Sequence, residues 1–256
     1  MDDITGARIF WEWQLPLPAP FDVLQITDTE INLCFITLVL TLLCVFLTRK
    51  LKVRPTSKKQ LIAEYIVKMA DNFVLGNMGA RFMNFVPFIA ALFALSIFSS
   101  LSGLIGFYAP TADLSVLLGW ALLVFVLITY YKFKSGGPVG YLKSYLEPIP
   151  ILLPFNIISE IATPISMAFR HFGNIASGGV ISTLLYGALA ALSHMLLGWL
   201  PGWLGTIPIF QAGIPAVLSL YFDWFSGFLQ AFIFCMLTMM YIASAAGEEE
   251  PAAEEK

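Results

Sequence analysis

Residues 164–179 read P-I-S-M-A-F-R-H-F-G-N-I-A-S-G-G, with long runs of Leu, Ile, Val and Phe on either side. Arg170 carries a charge it cannot shed, because a guanidinium stays protonated up to a pKa above about 12. The surrounding run belongs in lipid, where an arginine near the bilayer centre costs about 2.5–3.5 kcal/mol on insertion scales. It lies too far from either end of its helix to snorkel. Two roles suit such a charge. One is a structural salt bridge within the chain, to Asp223 or Glu160; the other is a functional charge.

The rest of the chain fits a lipid setting. Hydrophobic residues make up 58% and charged residues 12%, against roughly 45–50% and about 25% in soluble domains. Several apolar windows reach about 18 residues or more, enough to cross a bilayer as helices. The runs are continuous rather than alternating, which excludes a β-barrel reading. The net charge of −3 owes much to the acidic end, G-E-E-E-P-A-A-E-E-K, read as a disordered cytoplasmic tail over 247–256. Cys34, Cys44 and Cys235 stand in apolar windows without C-x-x-C spacing and read as small buried hydrophobes. Residues 1–30 lack the apolar core of a signal peptide. With Trp11, Trp13 and several prolines they suit an extracytoplasmic interfacial segment.

The pattern predicts an all-α integral membrane protein. Five spans fall at about 31–48, 84–107, 114–131, 165–197 and 211–246 within one membrane domain, 31–246. Arg49, Lys50, Lys52, Arg54, Lys58 and Lys59 follow the first span, and Lys132, Lys134 and Lys143 follow the third. Both basic loops mark the cytoplasmic side, which places the N-terminus outside and the C-terminus inside. Over 60–77, Leu61, Ile62, Tyr65, Ile66, Met69 and Phe73 share one helix face, and Glu64, Lys68 and Asp71 another. That is an amphipathic helix lying on the surface. Pro148, Pro150 and Pro154 block a regular helix before Pro164. The last two helices, roughly 33 and 36 residues, would reach about 50 Å against a hydrocarbon core of about 30 Å. They must tilt, bend or protrude.

Polar residues gather on those two helices. Ser166, Arg170 and Asn174 are spaced four apart and share a face. Such a stripe serves either as glue between helices or as a wet track. His171 points to a different surface. On the last helix Asp223 and Gln230 lie two turns apart. Asp223 is either a proton-relay acid or an interfacial one, and Gln230 either a pathway residue or an interhelical hydrogen-bonding group. Glu160 stands near the cytoplasmic end of its helix, Asp113 at the outer turn, where it can cap the third span, and His194 near the outer end. No H-E-x-x-H, G-x-S-x-G or P-loop occurs, and two isolated histidines make no metal site. A self-contained transporter, with Arg170 and Asp223 binding an anionic substrate, is the rival reading. The chain lacks the inverted repeat common in such folds.

F-R-H-F-G-N-I resembles the arginine signature on the penultimate helix of F-type ATP synthase subunit a. F-L-Q-A-F-I-F, residues 228–234, is similar to the signature on that family's last helix. P-I-S-M-A-F-R, A-P-T-A-D-L-S at 109–115 and the Y-L-x-P-x-P-x-L-L-P-x-N-I-I segment from Tyr145 to Ile158 fit as well, so the resemblance spans about 20–246. It implies the ion-conducting stator of a rotary motor, with two half-channels for protons or sodium ions. It carries no ATP chemistry and needs no cofactor. Its partners would be the ring of c subunits, the peripheral-stalk b subunits and the lipid of a bacterial plasma membrane, with no nucleic acid. The last two helices would form a tilted hairpin facing the ring. Arg170 would meet each ring carboxylate in turn, Gln230 would face Arg170, and Asn174 would lie one turn on. Asp223 falls where the family has an outer half-channel group, Glu160 corresponds to an inner acid, and Asp113 and Ser115 match a polar pair at the outer opening. Ser166 joins the arginine stripe. The chain departs from the family pattern at His171, where Leu is usual, at Gly179, where an acidic or imidazole group is common, and at Ser100, where Asn is common.

Overall fold

The computed structural model describes residues 7–14, 16, 23–49, 51–53, 57–146, 149–197 and 220–247. Strands β1 (Ile9–Gln14) and β2 (Val23–Thr27) pair antiparallel, with Trp11 opposite Ile26 and Trp13 opposite Leu24. The aromatic and β-branched content of I-F-W-E-W-Q and V-L-Q-I-T favours strand. This hairpin was not anticipated from the sequence.

Helix α1 (Asp28–Thr48) starts at one half of a capping box. Thr27 precedes it, and the Thr27 amide donates to Glu30 Oε2 at 2.8 Å while its hydroxyl bonds the same oxygen. That cap, and Asp28 and Glu30 in the first turn, start the helix before the expected Ile31. Helix α2 (Lys58–Met78) buries Gln60, Val74 and Met78 and leaves Leu61, Ile62, Tyr65, Ile66 and Met69 exposed. A 3-10 turn (Ala80–Phe85) leads into α3 (Val86–Leu101), and short 3-10 turns over Ser102–Ile105 and Pro110–Ala112 lead to α4 (Leu114–Ser144).

Helix α4 runs beyond the expected end at Tyr131 and kinks at Gly137, where φ is 63° and ψ 176°. Only glycine adopts that backbone without strain, and Pro138 follows directly. A 3-10 turn (Pro150–Leu152) opens onto α5 (Leu153–Leu197), a single 45-residue helix. The expected break before Pro164 is therefore absent. Pro154 sits in the first turn, where no amide bond is lost. Pro164 forgoes one bond to the Glu160 carbonyl, yet apolar surroundings favour keeping every other backbone bond inside the helix. A π-helical turn (Leu220–Phe225) precedes α6 (Ser226–Ala245). The expected start of the last helix, 211–219, lies outside the described residues, as does the tail beyond 247.

Among the described residues, five segments are long and apolar enough to cross a membrane: Asp28–Thr48, Ala80–Ile105, Leu114–Ser144, Pro150–Leu197 and Ser226–Ala245. With α2 outside that set, the chain is an all-α integral membrane protein. At about 1.5 Å per residue α5 is roughly twice as long as the hydrocarbon core.

The chain divides into two compact units. One comprises Val39–Ala94, Leu114–Arg170 and Phe232–Lys256. Its core joins Val74, Phe82, Ile89, Val124, Ile128, Met167, Phe234, Cys235, Met239 and Ile242. Tyr131 packs against Phe82 and Phe85 at ring-centroid distances of 5.7 and 5.6 Å. The other comprises Met1–Leu38, Leu95–Asp113 and His171–Ala231, and is held by polar contacts. Asn32 donates to Ser102 Oγ at 3.2 Å and to the Tyr108 carbonyl at 2.8 Å, and Ser100 and Thr111 share a hydrogen bond of 3.1 Å. Of the cysteines only Cys235 is buried; Cys34 and Cys44 are exposed, which corrects the reading of all three as buried. Their helix α1 turns much of its apolar surface outward, so a cysteine there behaves as a small lipid-facing residue.

Candidate functional site

Helix α5 has two faces. Pro164, Met167, Ala168 and His171, at the three-to-four spacing of one helix face, are buried. Ser166, Arg170 and Asn174 are exposed on the opposite side, among Ile165, Phe169 and Gly173. The polar stripe, and the arginine with it, thus lies on an exposed face of the helix, far from both of its ends. His171 turns inward, with Nε2 3.5 Å from Ser96 Oγ.

Gln230 on α6 is 2% exposed, between Leu229 and Ala231. Three residues earlier Gly227 is packed so closely that an added Cβ would lie 2.9 Å from Ser100 Cβ. Asp223 belongs to the π-helical turn; only its backbone is described. Such turns recur at functional sites because the extra residue re-aims the side chains around it.

Asp113 occupies the N-cap position of α4 and accepts a hydrogen bond from Thr29 Oγ1 at 3.0 Å. Ser115, in the first turn of α4, is exposed. Burial, and secondarily the Asp113 carboxylate, raise the Tyr108 phenol above its ordinary value.

The Glu160 side chain is 7% exposed. Lys132 Nζ lies 3.0 Å from Glu160 Oε1, and Tyr141 Oη donates to the same oxygen at 3.3 Å. Tyr141 in turn shares a hydrogen bond with Tyr145. Burial first, then the neighbouring Glu160 and Tyr141, push the Tyr145 phenol up, so it keeps its proton and can act as a donor. A cavity of about 400 Å³ opens beside Glu160, lined also by Lys132, Ser135, Tyr141, Ser144 and Ser244. Lys132 read in the sequence as a marker of membrane sidedness. Its pairing with Glu160 spans 28 positions and had no local signal. Among the described residues no three His, Cys, Asp or Glu side chains are grouped as metal ligands.

Comparison with known proteins agrees with the arrangement. The family described as ATP synthase A chain matches residues 31–243. ATP synthase subunit a of Desulforamulus reducens is 32% identical over 246 residues, covering 93% of this chain and 88% of that protein. Its counterpart in Bacillus subtilis is 33% identical, covering 87% of this chain and 94% of that protein. The protein named ATP synthase subunit a, sodium ion specific, of Propionigenium modestum is 32% identical, covering 89% of this chain and 76% of that protein. Nothing in these matches supports the self-contained transporter. Among the described residues, five segments long and apolar enough to cross a membrane and an arginine stripe in the middle of the longest agree with a match over most of the length: the chain belongs to the ATP synthase A chain family.

Proposed function

We propose that Arg170 is the fixed charge past which the carboxylates of a c-subunit ring move, and that the chain supplies one half-channel on each side of it. The subunit translocates ions as part of the hetero-oligomeric ATP synthase. The observation that carries the site assignment is the exposure of Ser166, Arg170 and Asn174 along one face of a long apolar helix. An ionised carboxylate in low dielectric is costly, and a fixed cation opposite it lowers that cost. Each ring carboxylate can therefore release its ion only where Arg170 awaits it. The same charge repels a cation attempting to leak directly between the half-channels.

Glu160 and its cavity suit the inner half-channel. Asp113, Ser115 and Asp223 suit the outer one, with Gln230 and Asn174 flanking the arginine. The basic residues after α1 and along the second half of α4 favour the cytoplasm for those ends, in a bacterial plasma membrane. This leaves the N-terminus outside and the C-terminus inside. ATP chemistry falls to other subunits, and the peripheral-stalk b subunits hold this one against rotation.

Disulfide cross-linking tests the assignment. Asn174→Cys, in a background with Cys34, Cys44 and Cys235 replaced by Ser, is paired with a cysteine one turn from the ring carboxylate. A disulfide requires Cα atoms within about 7 Å. An a–c cross-link is expected; its absence, with a cross-link forming from a cysteine on the buried α5 face instead, would remove the stripe from the ring interface.

A further inference from the structure

Glu160 is held by one oxygen only. Both donors, the Lys132 ammonium at 3.0 Å and the Tyr141 hydroxyl at 3.3 Å, go to Oε1. Oε2 is buried and receives no hydrogen bond among the described residues. A structural ion pair gains most when donors satisfy both carboxylate oxygens, because a buried acceptor left without a donor is costly. Here the donors are arranged otherwise. Lys132 precedes the Gly137 kink and Tyr141 follows it, and the kink brings the Tyr141 ring to 4.3 Å from that of Phe133. Both donors thus approach Oε1, while serine hydroxyls from three further positions, Ser135, Ser144 and Ser244, line the cavity beside the carboxylate. At about 400 Å³ it has room for several waters.

We propose that Lys132 and Tyr141 are positioning residues for ion transfer. By holding Oε1 they fix the Glu160 carboxylate at the cavity wall as the group that takes up and gives up the translocated monovalent cation. The proposal rests on the reading of this chain as the ion-translocating subunit. When the cation is a proton, an O–H bond forms on the Glu160 carboxylate as one breaks on a hydronium ion in the cavity, leaving water, and release reverses both; no electrons are exchanged. When it is sodium, the Glu160 carboxylate becomes one of its oxygen ligands and is vacated again. The Lys132 ammonium, 3.0 Å from Oε1, stands beside the carboxylate left by release. Among the described residues, the charged and titratable groups facing Glu160 are Lys132 and Tyr141 from α4 and Tyr145 just beyond it; Tyr241 of α6 lines the same cavity.

The test is ATP-driven pumping by the whole complex in inverted vesicles, expressed per assembled complex, in Na⁺-free and Na⁺-containing medium. The medium in which wild type pumps identifies the cation. Lys132→Gln is expected to slow pumping about tenfold, equivalent to ~1.4 kcal/mol in the barrier. Lys132→Arg restores most of the rate, and Tyr141→Phe slows pumping by a smaller factor. Because Lys132 acts through Glu160, Lys132→Gln adds no further loss in a Glu160→Gln background. If Lys132→Gln does not assemble, Tyr141→Phe, which removes one donor and no charge, carries the test. Wild-type pumping in Lys132→Gln or in Tyr141→Phe overturns the proposal, and so does an undiminished effect of Lys132→Gln in the Glu160→Gln background. An Arg170→Ala control separates the two levels. If it pumps normally, the underlying site assignment fails; if it is inactive while Lys132→Gln pumps normally, only the positioning role fails.

Discussion

Gly227→Ala should disrupt the local packing of α6, and Ser100→Gly should repair it. An alanine Cβ at 227 would lie 2.9 Å from Ser100 Cβ and 3.4 Å from Ser100 Oγ, where carbon atoms normally rest about 3.5–4.0 Å apart. One side must therefore give by roughly 0.6–1 Å. Ser100 cannot swing away, because Cβ is fixed to the backbone of α3. Its hydroxyl donates to the Ser96 carbonyl at 3.0 Å and shares a hydrogen bond with Thr111. Overpacking of this kind costs about 1–3 kcal/mol. The thermal midpoint of the detergent-solubilised complex should fall, and pumping with it, since Gly227 is one turn from Gln230. Ser100→Ala keeps the offending Cβ and should not help. Ser100→Gly removes it and should restore most of the loss, less about 1 kcal/mol for glycine in a helix. Normal stability in Gly227→Ala, or equal rescue by Ser100→Ala and Ser100→Gly, would refute the close approach.

Asp223→Asn is expected to slow ion uptake from the outer side while leaving assembly intact; wild-type pumping in that variant removes Asp223 from the pathway. Tyr108 should ionise late in an alkaline titration, read as the tyrosinate absorbance lost in Tyr108→Phe. Its raised value means that its contribution to stability is complete below the ordinary tyrosine pKa of about 10 and is lost as pH climbs through the folded-state value. Asp113→Asn, which removes the second cause of the shift, should move that ionisation down without returning it to the ordinary value.

Hydropathy sufficed to find the spans because lipid imposes a length and an apolar composition on any helix crossing it. It located element ends less well. The T-D-T-E run at 27–30 carries the cap that starts α1 and could have been found from its three-residue spacing. Pro164 misled because the penalty for proline within a helix is set in water, where a broken backbone bond is readily replaced; an apolar setting makes breaking further bonds dearer. Arg170 and Asn174 were legible because polar groups are scarce in such a run, and four-residue spacing puts them on one face. The surroundings of Glu160 were not legible. Lys132 and Tyr141 come from another helix, and Tyr141 reaches Glu160 only through the Gly137 kink, a tertiary event that no local pattern encodes. The polar contacts of Asn32 and Thr29 were hidden in the same way, although a buried Asn in an apolar helix is itself a signal of an interhelical hydrogen bond.

The central claim is that Arg170 is the stator charge, and Arg170→Ala tests it most directly. ATP-driven ion pumping is measured in inverted membrane vesicles after the content of assembled complex has been confirmed. The account predicts full assembly with pumping abolished. Normal pumping by the assembled variant would make Arg170 a structural residue and contradict the account.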